Sequence, residues 1–298
     1  MTITAADSKN EISFAFDELS CKKKLWYDFI FHPSAALGLT LIGIIFIMAL
    51  LGPLLSGYSY EDIHLEIKNQ PPTAKHWFGT DDLGRDVFTR VWYGARISLT
   101  IGIAAACIDI FIGIFWGSLA AYFGGWLEDC MMNVADILYS LPYLLVVIVL
   151  SLILGTGFTS ILAALTILGW ITMARIVRGQ VRYLKQLGYI QASIAFGARY
   201  PHVLIKHLIP NMKGPIIVTL TNTIPAAIFA EAFLSFMGLG IQAPMSSWGT
   251  MAHEGLSAFS FYPWRLFFPA AAISLTMLGF NLIGDVLSSF FDQREVHI

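Results

Sequence analysis

The sequence predicts an all-α integral membrane protein with about six transmembrane helices, and three observations predict it. Hydrophobic residues make up 56% of the 298 positions and charged residues only 13%, with a mean hydropathy of +0.68, whereas a soluble domain carries about a quarter charged residues. The apolar residues gather into six runs close to or beyond the roughly 20 residues that cross a bilayer as a helix. The Lys and Arg residues fall unevenly between alternate connections, as the positive-inside rule requires.

Taken in order, residues 1–34 are polar, end in the region of the Lys22-Lys23-Lys24 triplet, and are expected in the cytoplasm. The first span is 35–56. A signal peptide is the competing reading, but its apolar region would be about 7–15 residues and close to the start, so an uncleaved helix is expected. Residues 57–95 mix acids, bases, Pro71-Pro72, Gly79 and Gly84. They are expected as an external loop ending in a short interfacial helix with Arg85, Arg90, Trp92 and Tyr93, residue types favoured at that depth. The core is 96–291. Its spans are expected at Ile97–Phe123, Met132–Leu154, Phe158–Ile176, Pro215–Met237 and Arg265–Phe291, with Gly155-Thr156-Gly157 as a tight turn. The connection Gly238–Trp264 has no Lys or Arg and dips into the membrane only where protein shields its backbone. Residues 292–298 form a cytoplasmic tail. With both termini inside, twelve of the 18 Lys and Arg residues lie in the cytoplasm, which supports this orientation.

Several chemistries are excluded. The net charge of −2 and the lack of a long basic run argue against a nucleic-acid partner. Cys21, Cys107 and Cys130 form no C-x-x-C pair, so neither a disulfide framework nor a thiolate metal site is indicated. His253-Glu254 lacks the second histidine of H-E-x-x-H and is read as loop polarity; no metal site is expected. The chain has no Gly-Lys dipeptide, hence no phosphate loop of the Walker type. Gly238-Leu239-Gly240-Ile241-Gln242-Ala243 formally fits a dinucleotide fingerprint, but it follows a membrane helix rather than a strand.

Acids inside spans are costly and face a protein interior, water or the head groups. Asp136 and Asp285, near cytoplasmic helix ends, are expected to reach interfacial water. Glu231 is expected in the interior, and Asp109 fits either setting. In the fifth span Thr219, Thr223, Ala226 and Ala230 repeat at helical spacing, with Asn222 beside them. Small and hydroxyl residues on one stripe permit close helix packing, and the same residues suit the lining of a translocation path. Pro225 removes one backbone hydrogen bond and is expected to bend the helix.

The most informative segment is the connection 178–213. It is helical in pattern, broken by Gly197, with Pro201 in the first turn of a second helix, where proline is tolerated. Val203, Leu204, Ile205, Leu208 and Ile209 fill that helix and Pro210 closes it. Such an elbow serves either as a protein docking site or as a juxtamembrane helix on anionic lipid.

The run Gln191-Ala192-Ser193, then Gly197, then Ile209-Pro210 resembles the E-A-A motif of ATP-binding cassette importer permeases, with Gln191 for the glutamate and Ser193 for the second alanine. His76 to Asp86 with Tyr93 to Leu99, Glu231 to Gly240 with Ser246-Ser247-Trp248-Gly249, and Asn281 to Asp285 with Asp292-Gln293-Arg294 are similar to the dipeptide, oligopeptide and nickel permease family. Gln293 stands where that family usually has proline. Met173 to Gln180 is most similar to the C-type subunit of oligopeptide systems. The resemblance covers about 25–295.

It implies the type I importer permease fold with a cytoplasmic coupling elbow, and no chemistry of its own. Gln191, Ala192, Ser193, Gly197, Arg199, Pro201, His202, Ile209 and Pro210 would couple to an ATPase. Thr219, Asn222, Thr223, Pro225 and Glu231 would serve the path or the packing. The implied partners are a homologous permease, two ATPase subunits holding ATP and magnesium, an extracytoplasmic solute-binding protein and the bilayer of a bacterial inner membrane. The implied cargo is an oligopeptide or dipeptide, with nickel chelates or other small solutes as the alternative. A proton-coupled transporter would use the membrane acids as a relay. An intramembrane enzyme would need a clustered nucleophile and base, and the spans carry no such set.

Overall fold

In hydrocarbon the backbone must satisfy its own hydrogen bonds, and helices do so within each segment. The computed structural model describes residues 29–155 and 157–295. The lysine triplet, Thr156 of the expected turn, residues 296–298 and the side chains of Asp292-Gln293-Arg294 lie outside the described residues.

Helix α1 is Pro33–Ser56, with proline at its first position, where a missing N–H costs nothing, and Gly57 at φ 72° ending it. Helix α2 is Val87–Phe123. Its N-cap is Asp86, whose carboxylate accepts from the Thr89 amide at 2.8 Å. Then come α3 (Gly125–Tyr139), α4 (Tyr143–Leu154), α5 (Phe158–Leu184) and α6 (Gly188–Ala195). Helix α7 runs through Tyr200–Val203, a π-helical turn Leu204–Leu208, and Ile209–Asn211; α8 is Lys213–Phe236, α9 Trp248–Ser257 and α10 Trp264–Glu295.

Helices α1, α2, α5, α8 and α10 are each long and apolar enough to cross a membrane, and α3 with α4 makes a sixth such stretch, bent by 83°. Four details differ from the sequence expectation. The continuous span Met132–Leu154 is two helices, because Pro142 has no N–H to give and disfavours the helical conformation for the residue before it. The interfacial helix is absorbed into α2, whose 37 residues reach about 55 Å at 1.5 Å per residue. Pro210 does not close α7, which continues to Asn211, the π-helical turn just before it loosening the backbone where a proline would otherwise clash. The connection after α8 contains α9, started by a capping box between Ser247 and Thr250.

Helices α2 and α5 lie side by side in the same direction, and small residues let them touch. A Cβ on Gly117 would come within 2.3 Å of the Ala174 carbonyl, and one on Gly113 within 2.5 Å of the Met173 side chain. Helix α10 crosses α1 at Gly38 and Gly279 in the same manner, the Cβ of a residue at 38 falling 2.7 Å from the Gly279 carbonyl. Such close approach supplies dispersion where the solvent is as apolar as the side chains.

At the end where α2 begins, buried charges tie three segments together. Asp81 accepts from Arg85 Nε at 2.7 Å and from Arg90, and Arg90 reaches Glu254 of α9 at 2.9 Å. His76 meets Asp86 at 2.9 Å, and Arg265 of α10 meets Asp82 at 3.1 Å. Glu254 is thus a structural partner of a fully buried arginine, which corrects its reading as loop polarity. Burial opposes the charge on Asp81, but the Arg90 and Arg85 guanidiniums outweigh it and hold its carboxyl below the ordinary value.

A carboxyl whose pKa is lower folded than unfolded contributes stability above the unfolded value and loses it as pH falls through the folded value. Asp81→Asn is therefore expected to cost about 1.5–3 kcal/mol at neutral pH, since it removes one of the two carboxylates that answer buried Arg90 and the one that bonds Arg85 Nε. Thermal unfolding in detergent should show the gap between variant and wild type closing once pH drops below about 4. A gap that stays constant into acid would mean the charge of Asp81 contributes nothing.

Candidate functional site

The elbow expected from sequence is present as α6 and α7, joined at Gly197. Helix α6 ends in a Schellman turn: the Gly197 amide donates to the Ile194 carbonyl at 2.9 Å and the Ala198 amide to the Ser193 carbonyl at 3.1 Å. This turn needs a left-handed residue after the helix, and Gly197 has φ 86°. A Cβ there would meet nothing within 4 Å, so the glycine is required by conformation within the chain and leaves open space above it.

One side of the elbow is seated on the spans. Ile190 of α6 and Val203, Leu208 and Met212 of α7 and its end pack with Val177, Val181 and Leu184 of α5 and with Ala121 of α2. Tyr200 fixes α7 to α2 through a 2.8 Å hydrogen bond with Ser118. Burial raises its phenol above the ordinary value, and the Ser118 bond offsets this only in part.

The other side is open. Gln191, Ala192, Gly197, Arg199, Pro201, His202 and Pro210 are exposed, while Ser193 and Ile209 are half-buried. The Ser193 hydroxyl lies 3.4 Å from His207 Nε2, which ties α6 to α7 across the bend. Pro201, His202, Ile205, Lys206 and Pro210 line one shallow groove. The structure therefore brings the nine elbow residues onto one projection. It adds Phe196, which is 92% exposed and was missed from sequence. An aromatic side chain just before a helix-ending glycine is the signal that would have found it.

The second set of residues lies elsewhere, on α8. The Thr219 and Thr223 hydroxyls donate to carbonyls four residues back, at 2.7 and 2.8 Å. The stripe divides: Thr219 and Ala230 are buried, whereas Asn222 and Ala226 are exposed. Helix α8 runs unbroken through Pro225.

Glu231 is fully buried and joins three helices, as an interior acid should. It accepts from Ser98 of α2 at 2.9 Å and from Ser235 at 2.7 Å, and Ser247 before α9 reaches Ser235 at 3.2 Å. Asp136 and Asp285 are exposed, and Asp136 pairs with Arg175 at 2.6 Å. Asp109 is buried against Gly169, where a Cβ would fall 2.1 Å from its carboxylate. Among the described residues no cluster of His, Cys, Asp or Glu has the makings of a metal site.

Comparison with known proteins identifies this architecture. Residues 110–297 match the family described as binding-protein-dependent transport system inner membrane component. Residues 22–72 match the N-terminal transmembrane domain of oligopeptide transport permease C. The chain is 49% identical to the oligopeptide transport system permease protein OppC of Bacillus subtilis over 97% of its own length and 95% of the relative's. It is 52% identical to the dipeptide transport system permease protein DppC of the same organism, over 93% and 87%. To the Escherichia coli OppC protein it is 37% identical, over 92% of each. The chain thus belongs to the binding-protein-dependent inner-membrane permease family, as an integral membrane subunit of an ATP-binding cassette importer that is not itself an enzyme.

Proposed function

We propose that the chain moves oligopeptides or dipeptides into a bacterial cell as one of two homologous permease subunits above a pair of ATPases. The names of its relatives support the cargo. The elbow supports the coupling role: its buried side is bolted to α2 and α5, and its open side presents an exposed aromatic, a groove and basic residues away from the spans. ATP-driven closure of the ATPases would pull on 191–210 and shift α5 as a rigid body, while a solute-binding protein delivers cargo at the opposite face.

In this reading both termini and the elbow are cytoplasmic, and the Asp81–Arg90–Glu254 network faces outward. Single cysteines at Glu66 and Gln242, both exposed, in a chain freed of its natural cysteines, should react with a membrane-impermeant thiol reagent in intact cells. A cysteine at Gln186 should not react. Labelling at Gln186 would overturn the orientation.

Gly197→Arg tests the docking role. Within the chain the arginine has room and suffers only left-handed strain of about 1–2 kcal/mol, so insertion and abundance should hold. Against a closely applied ATPase it should collide, so transport and co-purification of the ATPase should both fall. An elbow lying on anionic lipid predicts the reverse, an added arginine strengthening attachment by about 1 kcal/mol. Full transport with full ATPase retention would sink the docking reading.

A further inference from the structure

Glu128 opens α3, and its side chain is only 4% exposed. It receives two guanidiniums from α5, Arg178 at 2.5 Å and Arg182 at 2.9 Å, both on the same carboxylate oxygen. Those arginines are four residues apart and so lie on one face of α5. The neighbouring face of the same stretch carries Val177, Val181 and Leu184, which hold the elbow. The last two turns of α5 therefore grip the elbow on one side and the start of α3 on the other. A second tether follows along α3, where Arg175 pairs with Asp136 and lies over the Tyr139 ring at 3.9 Å.

What these tethers hold is not a continuous span. Helix α3 stops at Tyr139, and α4 leaves at 83° beyond Ser140-Leu141-Pro142. A continuous helix would spread a push on its first turn over its whole length through the i to i−4 ladder. Here the ladder is interrupted, so α3 and α4 meet α5 as separate segments: α4 through apolar packing, Val147 being buried beside Ile161 and Leu165 of α5, and α3 through these ion pairs as well.

We propose that Glu128 is the joint through which movement of the elbow reaches α3, the first half of the broken span, with Arg178 and Arg182 as its two arms. The inference rests on the reading of the elbow as the ATPase dock. Glu128 is a positioning residue: it touches neither cargo nor nucleotide. A carboxylate suits the task because it accepts a charge-assisted hydrogen bond from Arg178 and pairs with Arg182 at the same oxygen, and the first turn of a helix favours an acid.

The test uses the complete transporter, with partner permease, ATPases and binding protein, reconstituted in liposomes. Peptide moved per ATP hydrolysed is measured for the wild type and for Glu128→Gln, which keeps shape and removes charge. The ATPase should stay in the complex and hydrolysis should continue, while peptide moved per ATP falls about tenfold, within the range of coupling between sites. The exchanged pair Glu128→Arg with Arg178→Glu rebuilds the attraction, because the carboxylate then sits on α5 between two guanidiniums, and it should restore the ratio. A contact that merely supports folding would lower abundance without changing the ratio.

An unchanged ratio in Glu128→Gln overturns the joint, and so does an exchanged pair that assembles yet stays uncoupled. Gly197→Arg is run alongside. If it keeps its ATPase the docking reading falls, whereas loss of the ATPase there with an unchanged ratio in Glu128→Gln removes the joint alone.

Discussion

The close approach of α2 to α5 is the contact on which the other features depend. Lipid gives two helices no reason to separate from it, because its tails are as apolar as leucine, so association must come from dispersion at short range. Gly113 and Gly117 supply that range by presenting bare backbone to Met173 and Ala174. Having no side chains there, the two helices run together along much of their length. Their far ends then carry Lys185, which caps the last carbonyls of α2 at Ala121 and Tyr122 with bonds of 3.0 and 2.6 Å. The elbow, the Glu128 clamp and the Glu231 node are all attached to this pair.

The two ends of the bundle solve different problems with the same chemistry. At the start of α2, charges are buried together: Arg90 is enclosed, and the carboxylates of Asp81 and Glu254 answer it. Such a cluster adds little net stability but is costly to leave half-made, so it fixes how the loop before α2, α9 and α10 meet. At the elbow end the ion pairs are partly open, with Arg182 58% exposed. An ion pair whose arginine stays in water costs less desolvation than one enclosed on both sides.

Glycine at 197 and proline at 142 show how single residues set the bend of the elbow and the break between α3 and α4. The first permits a left-handed turn and leaves the surface above it empty. The second ends hydrogen bonding in the middle of a span. Both are visible in the sequence, but only the glycine declares its role there. A proline in an apolar run reads equally well as a kink, and whether the chain bends slightly or turns by 83° depends on what each half packs against.

The sequence by itself determined the membrane class, the five unbroken helices of membrane-spanning length, the glycine bend of the elbow and the interior placing of Glu231. These follow from local rules: apolar length, the conformational demand of a helix end, and the cost of an acid in hydrocarbon. Only the tertiary structure decided that Glu254 answers Arg90 across 164 residues, that Arg178 and Arg182 share Glu128, that α9 lies within a connection read as loop, and that Phe196 stands clear of the molecule. Each of these depends on which distant segments meet. Pairing between helices in lipid is set by the shape of small surfaces rather than by periodicity, and shape is not written in any one segment.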